Sequence, residues 1–134
     1  IVGADITDGT INSAELATAN RTFKCNFVLF RDTGLKDSDD INSISNCSRP
    51  GRAITITEVH CETDAGSPVV NLQRDDGTPV NILSSNLTCT TGGANGTIAG
   101  AEDNIAATDK IDFVAVSGMS GANRISVLME YTVD

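Results

Sequence analysis

Four cysteines, one histidine and a few acidic clusters are the residues of this chain with chemistry to offer. The cysteines are Cys25, Cys47, Cys61 and Cys89, spaced by 22, 14 and 28 residues. A zinc centre brings its ligands in close pairs; no CxxC occurs, and His60 is the single histidine. Two disulfides are the expected use of these thiols, and they imply an oxidising compartment. Four cysteines allow three connectivities. Cys25–Cys47 with Cys61–Cys89 is favoured, because each bond then joins neighbours in sequence. The alternative is four buried free thiols, since cysteine packs well in cores.

Catalytic arrangements find little support. A Ser-His-Asp set would need His60, which sits in a strand-like stretch beside Cys61, and there is no G-x-S-x-G. The carboxylates cluster in turns instead of flanking an apolar cleft. Neither a P-loop nor a dinucleotide fingerprint is present. The chain is therefore read as a non-enzyme without a cofactor. Asp37, Asp39 and Asp40 put three carboxylates within four residues, the density a hard cation favours, yet without EF-hand spacing. Solvated turn acids are the plainer reading of these and of Asp75-Asp76. Four sequons, at Asn20, Asn46, Asn86 and Asn95, permit N-glycosylation without requiring it.

Composition narrows the partners. The chain has 134 residues, enough for one domain with a core. Apolar residues make up 40% but aromatics only 4%, with no Trp, so Val, Ile, Leu and Ala must build that core. Base stacking or an aromatic sugar platform has little to work with. A net charge of −9 repels nucleic-acid phosphates and anionic lipid. No apolar run approaches the ~20 residues of a membrane helix, so neither nucleic acid nor membrane insertion is expected. Beginning at Ile1 without a basic-then-apolar leader, the chain reads as a mature or excised segment.

Period-two alternation supplies the elements that would hold these residues. In TFKCNFVLF (Thr22–Phe30), Phe23, Cys25, Phe27 and Leu29 share a face. Val28 and Phe30 on the other face predict that both sides are covered at that end. Asp32–Arg52 is a long polar loop that Cys47 would pin. In AITITEVHCE (Ala53–Glu62), parity switches after Ile56, which predicts a bulge near Thr57-Glu58. Strands are expected at Val69–Arg74, Val80–Leu83, Leu87–Thr90, Thr97–Ala101, Lys110–Val116 and Arg124–Val133. A hairpin signal lies at Asp76-Gly77, a flexible loop at Gly92–Gly96 and a turn at Ser117–Gly121. Only Asn12–Asn20 could make a short helix. About seven to nine strands with regular turn signals predict an all-β, single antiparallel β-sandwich, jelly-roll or immunoglobulin-like.

Residues 1–20 form an N-terminal arm in this reading, and 21–134 the sandwich. The arm is too thinly apolar to fold alone. Its stretch ADITDGTINSAEL (Ala4–Leu16) resembles the stalk repeats of phage-like tail fibres and bacterial surface fibres. The body, Ile54–Cys89 and the closing DKIDFVAVSG…RISVLMEYTV, resembles the small β-sandwich head domains that follow such stalks. This resemblance implies an extracellular fibre or filament component at the cell surface, and it supports pairing Cys61 with Cys89. A single repeat makes no long stalk, so either the stalk has been cut away or the arm has another role; the plain alternative is a disordered leader. Sandwich edges must be managed, and an arm laid on the next subunit's edge would serve, with Val2, Ile6, Ile11 and Leu16 filling pockets. The function expected is a self-assembling structural subunit whose partners are copies of itself. The alternative is a fibre tip or adhesin, possible as a trimer, whose long loops recognise a glycan or surface receptor.

Overall fold

The computed structural model describes residues 22–37, 47 and 50–134. Among these residues nine strands run in order: β1 (Thr22–Phe30), β2 (Ile54–Thr63), β3 (Val69–Asp75), β4 (Pro79–Asn81), β5 (Leu87–Thr88), β6 (Ala94–Asn95), β7 (Asn104–Ile105), β8 (Lys110–Ser117) and β9 (Arg124–Val133). One sheet is ordered β1-β9-β2-β6, with β7 also on β2; the other places β3 between β8 and the short strands β4 and β5. Every ladder between these strands is antiparallel. An immunoglobulin sheet sets the first strand beside the second. Here β1 lies beside β9, and β9 separates it from β2. That interleaving is the jelly-roll arrangement.

Alternation produces the layers. Ile54 and Ile56, then Val59 and Cys61, are buried in β2, with the change of parity at a register shift between Ile56 and Glu58. The bulge is necessary because β9 alternates without a break: Ile125, Val127 and Met129 all point inward. From the facing sheet come Leu72, Ile111 and Phe113. Phe27 of β1 stacks on Phe113 of β8 with ring centroids 6.4 Å apart, joining the sheets. Such a pair adds about 0.5–1.5 kcal/mol beyond its buried area.

Several expected elements are shorter than period-two patterning implies. Val80–Leu83 is not one strand. Strand β4 ends at Asn81, and Ile82 and Leu83 turn into the core. There they bond across to residues 98 and 99. Thr97–Ala101 contributes only the Ile98 bridge, whereas Gly92–Gly96 contains β6 and Asn104–Ile105 forms β7. Ser117–Gly121 closes as a 3-10 turn at Met119–Gly121, with Met119 fully buried. The Asp76-Gly77 hairpin forms, with Asp75 opposite Pro79 and Gly77 at φ 116°. Residues 1–21, and with them the expected arm and short helix, lie outside the described residues.

Candidate assembly edge

Both expected disulfides form, Cys25–Cys47 and Cys61–Cys89. They do different work. Cys61 and Cys89 are completely buried and tie β2 to the chain just past β5, from one sheet to the other. Around this bond the flank is sealed. Thr63 N–H donates to the Thr90 carbonyl at 3.2 Å, Gly96 N–H to Val59 at 2.8 Å and Ala99 N–H to Ile82 at 2.8 Å. His60 and Asn95 bond through Nδ1 and Oδ1 beside Gly93, whose φ of 83° and lack of a Cβ let the His60 ring pass. Two disulfides suit an oxidising environment.

The opposite flank is built differently. β1 pairs with β9 from Thr22↔Thr132 to Phe30↔Arg124 without a break. The register continues to Arg31, whose N–H donates to the Asn123 carbonyl at 2.9 Å. Bonded pairs alternate in an antiparallel ladder. The N–H and C=O groups of Thr22, Lys24, Asn26, Val28 and Phe30 therefore point away from β9. Among the described residues no strand pairs with that edge.

The apolar side chains at this edge are exposed too. Among the described residues the exposed large hydrophobics are Phe23 (43%), Val28 (53%), Phe30 (67%) and Val116 (38%). The first three belong to β1. Both faces of that end are not covered as expected: Phe27 is buried inside, while Val28 and Phe30 stand in solvent on the outer face. Leu128 is half-buried on the same face, and a shallow depression of about 280 Å³ adjoins it, lined by Val28, Glu62, Thr63, Arg124 and Ser126. Phe23 stacks on Tyr131 at 5.7 Å, leaving one face open. Lys24, largely in solvent, reaches the half-buried Glu130 at 3.1 Å, a pair of small energetic weight. Sequence reasoning missed these residues as a site. The available signal was apolar character at both parities of one strand, which marks a buried strand or one that waits for a partner.

Of the other residues singled out by sequence, some make contacts within the fold and the rest lie outside the described residues. Asp37 Oδ1 accepts the Met119 N–H at 2.9 Å, tying the loop after β1 to the 3-10 turn. Asp39 and Asp40 lie outside the described residues, within which no three potential ligands come together for a metal ion. Asp75 and Asp76 accept the amides of Gly77 and Thr78 in their own turn. Asn86 is exposed, and its Oδ1 accepts a 2.8 Å bond from the Asn71 side chain, which is buried. Asn95 is exposed on β6. Asn20 and Asn46 are outside the described residues, as are Val2, Ile6, Ile11 and Leu16.

Among the described residues one carboxylate is electrostatically distinctive. The backbone N–H of Arg124 holds the Asp64 carboxyl below its usual range, lost hydration opposing the effect and the Asn123 N–H and Arg124 charge adding to it. Both amides lie 3.0 Å from Oδ1. This bond anchors the start of β9, next to Phe30.

The molecule is thus a disulfide-stapled jelly-roll sandwich, sealed along one flank and presenting an apolar strand edge along the other. No protein-family model matches the chain, and no curated protein matches it. Among solved structures, the nucleoplasmin-like N-terminal domain of Drosophila FKBP39 is similar at 13% identity, covering 84% of this chain and 90% of that one with a TM-score of 0.44. The jelly-roll assignment rests on this chain's own strand pairing.

Proposed function

We propose that the protein is a non-catalytic, self-assembling structural subunit of an extracellular filament or fibre at the cell surface. Its N-terminal arm adds as a strand to a neighbouring subunit. The observation that carries this reading is the β1 edge, where outward-pointing backbone groups coincide with Phe23, Val28 and Phe30 in solvent. An exposed, long, apolar edge strand templates pairing with another chain, and soluble monomers normally blunt such edges. The arm suits the task, because it is alternating in part and cannot bury enough surface alone. Strand addition draws affinity from the backbone and specificity from alternate side chains, and a head-to-tail interface of this kind propagates without closing. The two disulfides suit the oxidising setting.

Deletion of residues 1–16 tests the reading by negative-stain microscopy and sedimentation. The full chain should form polymers, and the truncated chain should remain a folded monomer. Intact polymers from the truncated chain would defeat it, and discrete trimers from the full chain would favour a fibre-tip role.

A further inference from the structure

Strand addition by the arm leaves open which edge accepts it and in what register. Resting on the assembly reading and deepening it, we infer that the acceptor is β1. Residues 4–11 of a second copy pair antiparallel with it, Ile6 opposite Val28, Ala4 opposite Phe30 and Ile11 opposite Phe23.

The choice of β1 has two grounds. Among the described residues, three of the four exposed large hydrophobics lie on it, against Val116 alone on β8. Asp112 and Ala115 of β8 also have further partners of their own. The β1 edge is nine residues long and unbroken in register, so it can template a strand along its whole length.

The register is set by the exposed residues themselves. Val28 and Phe30 occupy the outer face and Phe23 the inner, because side chains alternate along a strand. A partner strand must offer apolar residues at two positions of one parity, and one of the other parity five residues further along. In the antiparallel sense the arm meets this once: Ala4 and Ile6 for the outer face, Ile11 for the inner. The same alignment sets Asp8 diagonal to Lys24, a favourable charge pairing within reach of a lysine. A shift by two residues places Asp8 opposite Val28 and loses the match. Residues 12–21 would then link donor strand to donor body. That connection is too long for an ordinary hairpin and reaches about 33–36 Å when extended, which suits a second copy over folding back.

Directed cross-linking tests the inference. A chain carrying Ile6→Cys is mixed with one carrying Val28→Cys, oxidised mildly and analysed without reductant. The backbone geometry makes 6/28 a hydrogen-bonded pair, with Cα atoms about 5.5 Å apart and inside the range a disulfide spans. The expected result is a shift from 13.9 kDa to twice that mass, with peptide mapping locating the new bond at 6–28. The off-register pair Asp8→Cys with Val28→Cys should give roughly tenfold less, since diagonal neighbours sit about 7–8 Å apart. Equal yields from both pairs would overturn the register. Preferential bonding of Ile6→Cys to Val116→Cys would overturn the choice of β1. A 6–28 bond confined to single chains of the double variant would overturn the second copy as donor. Microscopy of the unsubstituted chain runs alongside. Polymers without a 6–28 bond would sink this register and leave strand addition standing, whereas a full chain that never polymerises would sink both.

Discussion

The two flanks of the sandwich solve the same problem in opposite ways. Each sheet ends in strands with unsatisfied backbone groups. At the β2 flank the chain itself crosses between sheets, pairs through β6 and β7, and is locked by the buried Cys61–Cys89 bond. At the β1 flank the described residues leave a nine-residue edge with three exposed hydrophobics and the Cys25–Cys47 staple, whose Cys25 is half-exposed and whose Cys47 is buried. The difference separates the buried, cross-linked side of the molecule from the side that the proposed assembly would use. Among the described residues, the sealed flank uses its hydrogen bonds internally and β1 pairs with a strand on one side only.

Substitutions can break this comparison. Phe113→Ala removes a ring that is 1% exposed and stacked on Phe27, so it should cost about 3–5 kcal/mol by denaturant unfolding. A loss under about 1 kcal/mol would mean that this pair does not hold the sheets together. Replacing Cys61 and Cys89 together with alanine should cost about 2–5 kcal/mol. The same change at Cys25 and Cys47 should fall at the low end of that range, about 2 kcal/mol, although the loops are of similar length. Cys47 is buried but Cys25 is half-exposed on an edge strand, so less packing is lost than at the fully buried Cys61 and Cys89. Equal costs would erase the distinction between the staples.

Phe30→Lys sharpens the contrast further. The side chain is 67% exposed, so stability should move by no more than about 0.5 kcal/mol. Polymer mass in sedimentation should nevertheless fall sharply, because a lysine on an edge strand opposes addition. Unchanged polymer mass would detach assembly from β1.

The smallest effect belongs to Asp64→Asn. Its carboxyl titrates below the ordinary carboxylate value of about 3.9 when folded. The folded-state value is the lower one, so its stabilisation is present above the unfolded value and lost as pH falls through the folded one. Thermal unfolding from pH 6 down to pH 2 should therefore decline less steeply in the variant. Parallel curves would remove the Asp64 anchor from the account.

How much of this was legible in the sequence depended on the range of the interaction. The long strands β1, β2, β8 and β9 announce themselves by alternation, and the bulge in β2 by its change of parity. The strands β6 and β7 carry no such signal, since two residues cannot show a period; each exists because β2 offers it an edge. Ile82 and Leu83 resemble strand residues for a similar reason, yet the core draws both inward once β4 has ended. Asp37 has the neighbours in sequence of a cation ligand, but its partner, the Met119 amide, is 82 residues away.

The sequence by itself determined the all-β class, the sandwich and the alternating, mainly aliphatic core, because period-two burial is a property of the strand alone. It favoured the pairing of the cysteines without deciding it. Only the tertiary structure decided which strands became edges. Val28 and Phe30 have the same identity on a central strand as on an outer one. Their exposure arises because they point to the uncovered outer face of their sheet, and because β9, lying between β1 and β2, leaves β1 at the rim with a neighbouring strand on one side only among the described residues.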